Sequence, residues 1–104
     1  MSKCNIVAVV TLSAEVPFPK KKGVKSGYSP HHKFPNVEYL VSGFHVYADD
    51  QLHYPGETLL VEILFPSWEF FGGNISVGDN FSILELERLV GEGVVQSIVQ
   101  GSRS

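Results

Sequence analysis

Four histidines and several closely spaced carboxylates are the side chains of this sequence best suited to bind a metal ion or transfer protons. His31 and His32 are adjacent, and adjacent side chains of a strand point to opposite faces, so we do not expect them to share one ion. His45 lies near Asp49 and Asp50, but the sequence contains no His-Glu-x-x-His spacing. The pattern favours histidines in loops and on strand surfaces, without a bound metal.

Glu85 and Glu87 lie two positions apart, which would place both carboxylates on one face of a strand. Such a pair could act as general acid and base, but charge alternation on a solvent-facing strand explains it more simply. The serines show no nucleophile-elbow pattern, and Gly72 and Gly73 lack the lysine and the flanking strand and helix of a phosphate-binding loop. We therefore expect no catalytic residue, no nucleotide and no cofactor.

A lysine cluster is the main basic feature, with Lys20, Lys21, Lys22 and Lys25 falling close together. The net charge is −3, whereas a dedicated nucleic-acid-binding protein usually carries a basic surplus. The cluster is therefore typical of a solvated loop. The alternative is a patch for RNA, which Lys33 would extend.

Short apolar runs separated by proline and glycine predict the elements that position these side chains. The runs predict strands at residues 5–12, 38–47, 58–65, 81–86 and 90–99. Residues 17–35 contain four prolines and the lysine cluster, which predicts a long exposed loop. Gly91 and Gly93 indicate a bulge or a close backbone approach within the last strand. Because the sequence has several strand-like runs and no helical periodicity, it favours an antiparallel barrel or a sandwich.

The 104 residues, of which 43% are hydrophobic, are enough for a single domain. We expect its core to span about residues 3–99 and residues 100–104 to form a flexible tail. Cys4 is the only cysteine, so an internal disulfide is excluded and a buried thiol in a strand is expected. No apolar run approaches the roughly 20 residues of a membrane span, and no signal peptide is recognisable, which favours a cytoplasmic location.

Three aromatic residues follow Pro66 closely. Strand-like alternation would place Trp68 and Phe70 on one side and Phe71 on the other. Aromatic side chains dominate the hot spots of protein interfaces, so Trp68 and Phe70 are candidates for partner binding.

Residues 81–95 read F-S-I-L-E-L-E-R-L-V-G-E-G-V-V. This segment resembles the C-terminal hallmark of the third domain of elongation factor Tu, whose pattern is F-x-I-R-E-G-G-R-T-V-G-x-G-V-V. Residues 27–34 resemble the family's G-Y-R-P-x-x-x-F, and residues 55–57 resemble its P-G-D turn. The three blocks occur in the family order and extend the resemblance over about residues 3–99.

The resemblance implies a single six-stranded antiparallel Greek-key β-barrel that binds rather than catalyses. In the family this barrel contacts the T-stem of aminoacyl-tRNA, packs on the GTPase domain and offers a surface to the exchange factor. This sequence has neither the GTPase domain nor the second barrel, so we expect neither GTP hydrolysis nor complete tRNA delivery.

The departures from the family pattern fall on the tRNA-binding surface. Ser29 replaces an arginine, and of the R-E-G-G run only Glu85 is kept. Leu86 and Glu87 replace glycines, which adds bulk and negative charge where phosphates would approach. The retained Arg88 relates mainly to the geometry of the barrel. The resemblance therefore implies the fold without the tRNA surface.

These observations predict a non-catalytic protein-binding module, acting as a decoy for a translation-factor surface or as a toxin-immunity protein. The alternative is binding of tRNA or another structured RNA through the loop at residues 20–25. No membrane and no nucleotide are expected as partners. The candidate binding residues are Lys20, Lys21, Lys22, Lys25, Tyr28, Trp68, Phe70, Glu85, Glu87 and Arg88.

Overall fold

Seven antiparallel β-strands form one sheet in the computed structural model, which describes residues 4–14 and 21–99. Lys20 and the expected tail at residues 100–104 lie outside the described residues. The strands are β1 (Ile6–Leu12), β2 (His31–Lys33), β3 (Val41–Ser42), β4 (Phe44–Val46), β5 (Thr58–Leu64), β6 (Asn80–Glu85) and β7 (Arg88–Ile98). Their order across the sheet is β3-β2-β6-β7-β1-β5-β4.

The two ends of the sheet approach each other because β3 and β4 are consecutive in the chain. Backbone hydrogen bonds join β4 to the segment before β2: the His45 N–H donates to the Tyr28 carbonyl at 2.8 Å, and the Gly43 N–H donates to the Pro30 carbonyl at 3.2 Å. The sheet is thereby a nearly closed barrel, which confirms the all-β barrel prediction.

The predicted number of six strands is wrong, because the sheet has seven. The run at residues 38–47 is divided into β3 and β4 by Gly43, where an added Cβ would lie only 2.7 Å from the Phe65 ring. The expectation of a continuous loop at residues 17–35 is also wrong, since this range contains β2. That strand forms because His32 and Phe34 alternate towards the core, and both are fully buried.

The core lies inside the barrel and is built by the inward side chains of alternating strands. Ile6, Ala8 and Val10 are fully buried along β1, as its β-branched alternation predicts. A set of aromatic rings fills the interior, comprising Phe34, Phe65, Phe71 and Phe81. Each such side chain contributes roughly 1.5–3 kcal/mol of burial free energy.

Gly93 confirms the close approach predicted within the last strand. A Cβ at this position would lie 2.3 Å from Cζ of Phe81, so only glycine lets the ring cross β7. A register shift between Ile83 and Leu84 marks an irregularity in the same β6–β7 pairing.

The aromatic segment after β5 is a short helix, α1 (Trp68–Phe71), and not a strand. The predicted alternation is therefore wrong, because helical i, i+3 spacing buries Trp68 and Phe71 on one side. Phe70 points outwards and is 75% exposed. Trp68 stacks on Phe65 with ring centroids 6.0 Å apart, so it contributes to the core rather than to the surface.

Candidate functional site

The β6–β7 hairpin brings together several of the predicted binding residues. Glu85 and Arg88 are paired across the two strands, which leaves Leu86 and Glu87 as the turn. Both turn residues are exposed. Because the chain reverses between Glu85 and Glu87, the expectation that their carboxylates share one strand face is wrong.

A polar network braces the two residues that flank this turn. The Tyr28 hydroxyl donates to Oε2 of Glu85 at 2.6 Å, and Nη2 of Arg88 donates to Oε1 at 2.6 Å. Burial, followed by the hydrogen bond to Glu85, raises the pKa of Tyr28, so the phenol stays protonated and remains a donor. Both carboxylate oxygens of Glu85 are thus engaged, which suits a structural brace rather than a general acid or base.

The lysine cluster is exposed in the part that the structure describes. Lys21, Lys22 and Lys25 all lie on the surface. Lys33 does not extend the cluster, since its Nζ donates to the carbonyl oxygens of Phe34, at 2.8 Å, and Val37. The sequence analysis did not predict these hydrogen bonds from Lys33 to nearby backbone carbonyl groups.

An exposed apolar strip crosses the outside of the barrel, and the sequence analysis did not identify it as a surface. Val9 on β1 pairs with Leu60 on β5 and with Val94 on β7. Leu60 is 61% exposed, Val46 on β4 is 47% exposed and Phe44 on the same strand is 41% exposed. We call Phe44, Val46, Leu60 and Val94, with Val9 between them, the outer strip. Strand alternation places Phe44 and Val46 on one face of β4, and closure of the barrel turns that face outwards.

Two buried histidines form a hydrogen-bonded pair inside the barrel. Nε2 of His32 lies 2.8 Å from Nε2 of His45, and both rings are completely buried. Nδ1 of His32 lies 3.0 Å from the Val41 carbonyl oxygen, and Nδ1 of His45 lies 3.2 Å from the Tyr47 hydroxyl. The expectation of loop and strand-surface histidines is wrong for this pair.

The partners determine where the protons lie. A carbonyl can only accept, so Nδ1 of His32 donates to Val41 and Nε2 of the neutral His32 ring accepts. Nε2 of His45 then donates to His32, and Nδ1 of His45 accepts from the Tyr47 hydroxyl. Every ring nitrogen is satisfied while both imidazoles are neutral.

The protein environment opposes protonation of this pair. Burial lowers the pKa of His32 to about 4, although the hydrogen bond to the Val41 carbonyl acts in the opposite direction. Burial also lowers the pKa of His45 well below its ordinary value, and a charge on His32 would lower it further. The pair is therefore a neutral structural element at physiological pH.

A third histidine has the opposite electrostatic environment. Nδ1 of His53 lies 2.8 Å from Oε1 of Glu57, and Nε2 lies 2.8 Å from Oδ1 of Asp49. The hydrogen bond to Glu57, followed by the one to Asp49, raises the pKa of His53. The hydrogen bonds from His53 in turn contribute to the lowered pKa values of the Asp49 and Glu57 carboxyl groups. The protonated imidazole joins the two ends of the loop at residues 49–57.

Residues 4–14 and 21–99 contain no candidate metal centre. Within these ranges no three His, Cys, Asp or Glu side chains come together in a group that could hold a metal ion. A groove of about 400 Å³ lies between the end of β1 and β7, and Glu92 is the sole ionisable group among the described residues that line it.

No model of a known protein family matches this sequence, and no curated protein matches it either. None of the helices in the described part of the chain has the length and apolar character needed to cross a membrane. The surfaces of the barrel are therefore the source of functional information.

Proposed function

We propose that this chain is a non-catalytic protein-binding module. The observation that carries the proposal is the outer strip, which places apolar side chains from four neighbouring strands in solvent. Contiguous exposed apolar patches on soluble proteins commonly mark interaction sites. Leu60 and Val46 also border a depression of about 230 Å³, which Glu62 lines as well, so a partner side chain that fills it would meet apolar groups and one carboxylate.

The resemblance to the third domain of elongation factor Tu gives this proposal a specific form. A barrel of that kind would display a translation-factor surface. We propose that it acts as a decoy for a protein that recognises this surface, or as an immunity protein against a toxin that does so.

The experiment is affinity capture from nuclease-treated extract of the native host, followed by mass spectrometry. A Val46→Thr/Leu60→Ser variant should lose the captured protein at least tenfold, because it removes apolar contact area at the centre of the outer strip. Val77→Ser is the matched control, since Val77 is 63% exposed and lies in a turn outside the sheet. Capture of no protein above background by the unmodified chain would contradict the proposal.

RNA binding is the second candidate function, supported by the exposure of Lys21, Lys22 and Lys25 on one loop. It would produce retention of tRNA on filters at low salt that falls steeply with salt concentration. Replacement of the three lysines by glutamine would abolish that retention. The net charge of −3 and the acidic hairpin turn favour the protein-binding proposal.

A further inference from the structure

The tip of the β6–β7 hairpin carries a leucine in a backbone conformation that disfavours leucine. Leu86 has a φ of +59° and is the only residue other than glycine with a positive φ in residues 4–14 and 21–99. Both favoured types of two-residue hairpin turn need a positive φ at this position, where glycine, asparagine or aspartate is usual. Leu86 is 79% exposed, so packing in the core does little to compensate for its backbone strain.

We propose that Leu86 is an anchor that inserts into an apolar pocket of a partner protein, and that Glu87 selects a pocket with a basic rim. The inference rests on the proposed protein-binding function and adds a contact at the hairpin tip to that of the outer strip. Backbone strain of this kind concentrates at ligand contacts, where the surrounding structure holds the residue in place.

The surrounding structure does hold the tip in place. Oε1 and Oε2 of Glu85 accept hydrogen bonds from Arg88 and Tyr28, so the residues on either side of the turn are fixed. A tip that is rigid before binding loses little conformational entropy when it binds. The bracing groups contact one another, which leaves the side chains of Leu86 and Glu87 to meet the partner.

The chemistry of the tip identifies the class of partner. A leucine and a carboxylate cannot neutralise phosphates, so RNA is not the occupant. The turn also lacks the cations and the broad apolar face with which proteins bind anionic membranes. A basic protein surface complements both Glu87 and the net charge of −3.

The test compares the unmodified chain with Leu86→Asn, Glu87→Lys and the control Val77→Asn, which alters another exposed apolar turn residue. Leu86→Asn should melt at the same temperature as the unmodified chain or above it, because asparagine tolerates a positive φ. In affinity capture from host extract, Leu86→Asn should reduce the amount of captured protein at least tenfold and Glu87→Lys at least threefold. Val77→Asn should leave capture unchanged, and the purified captured protein should reproduce these ratios in a direct binding assay.

Each other outcome overturns a defined part of the reasoning. If Leu86→Asn retains full capture, the anchor is refuted while the protein-binding function stands. If the unmodified chain captures no protein, both fail. A lower melting temperature for Leu86→Asn would show that the leucine stabilises the hairpin, which refutes the strain premise. Unchanged capture by Glu87→Lys refutes the basic rim. Flotation with phosphatidylcholine vesicles that depends on Leu86 would assign the tip to a membrane instead.

Discussion

Acidification from pH 7 to pH 5 should destabilise this protein through the buried pair of His32 and His45. Both imidazoles are neutral in the folded barrel, and each ring nitrogen already has a partner that matches the neutral form. A proton added to Nε2 of His32 would set two donors against each other, and one added to Nδ1 of His45 would require the Tyr47 hydroxyl to turn and accept. Either proton would place a charge in the core. The unfolded chain has no such restriction and takes up protons near pH 6.5.

The sign and size of the effect follow from proton linkage. His32 has a folded pKa of about 4 and an ordinary value of 6.5, so the unfolded state binds more protons between these two values. The stabilisation is fully present above pH 6.5 and is lost as the pH falls towards 4. For His32 alone the loss between pH 7 and pH 5 is about 2 kcal/mol, and His45 adds a loss in the same direction. The total free energy of unfolding of a small domain is only about 5–15 kcal/mol.

Urea denaturation at closely spaced pH values between 5 and 8 measures this loss directly. The carboxylates with lowered pKa values, Asp49 and Glu57, titrate below the window, so they contribute little to it. His53 acts in the opposite direction, and the same measurement on a His53→Gln variant removes its contribution. A nitrogen–proton correlation NMR spectrum at pH 7 should show a proton on Nδ1 of His32 and on Nε2 of His45.

Two results would refute this account. One is a free energy of unfolding that is equal at pH 7 and pH 5 in the His53→Gln variant. The other is a pair of imidazole titrations in the folded protein with midpoints near 6.5. A His32→Leu/His45→Leu/Tyr47→Phe variant, if it folds, should flatten the pH dependence, because replacing all three polar partners removes the titrating groups together.

Two further predictions concern the contacts of His53 in the loop at residues 49–57 and the packing of the barrel interior. The raised pKa of His53 means that its stabilisation is complete below pH 6.5 and is lost as the pH rises through the folded value. The difference in urea midpoint between the unmodified chain and His53→Gln should therefore be larger at pH 6 than at pH 9. An equal difference at the two pH values would contradict the stabilising contact of His53 with Asp49 and Glu57. Gly93→Ala should cost about 1–3 kcal/mol, because its Cβ would lie 2.3 Å from the Phe81 ring. Gly73→Ala, whose Cβ would meet nothing within 4 Å, is the control and should stay within about 0.5 kcal/mol of the unmodified chain, and equal stability of both variants would contradict the packing.

The alternation of side chains predicted the long strands and much of the core. The run at residues 5–12 became β1, and its inward residues are those that alternation selects. Alternation also relates Val41, His45 and Tyr47, which are all buried, whereas Tyr39, on the same side by that rule, is exposed. Alternation gives the faces of a strand, but closure of the barrel decides which face meets solvent.

The features that the sequence did not predict depend on tertiary contacts. Gly43 divides a strand because the Phe65 ring occupies the place of a side chain, and no local pattern reveals that contact. Histidine is intermediate in its tendency to be buried, and the burial of this pair requires hydrogen-bond partners that only the folded barrel brings together. The left-handed conformation of Leu86 was not predicted either, because Leu-Glu is not a recognised turn pair.

Tyr28 links the interior of the barrel to its candidate binding tip. Its ring packs edge-on against His45 with centroids 5.5 Å apart, and its hydroxyl holds Glu85 next to the hairpin turn. The backbone of the same residue accepts the hydrogen bond from His45 that helps to close the sheet. The position of the strained Leu86 thus depends on the packing of the neutral histidine pair. Conservative substitution of the pair should disturb the tip, although neither histidine reaches the surface.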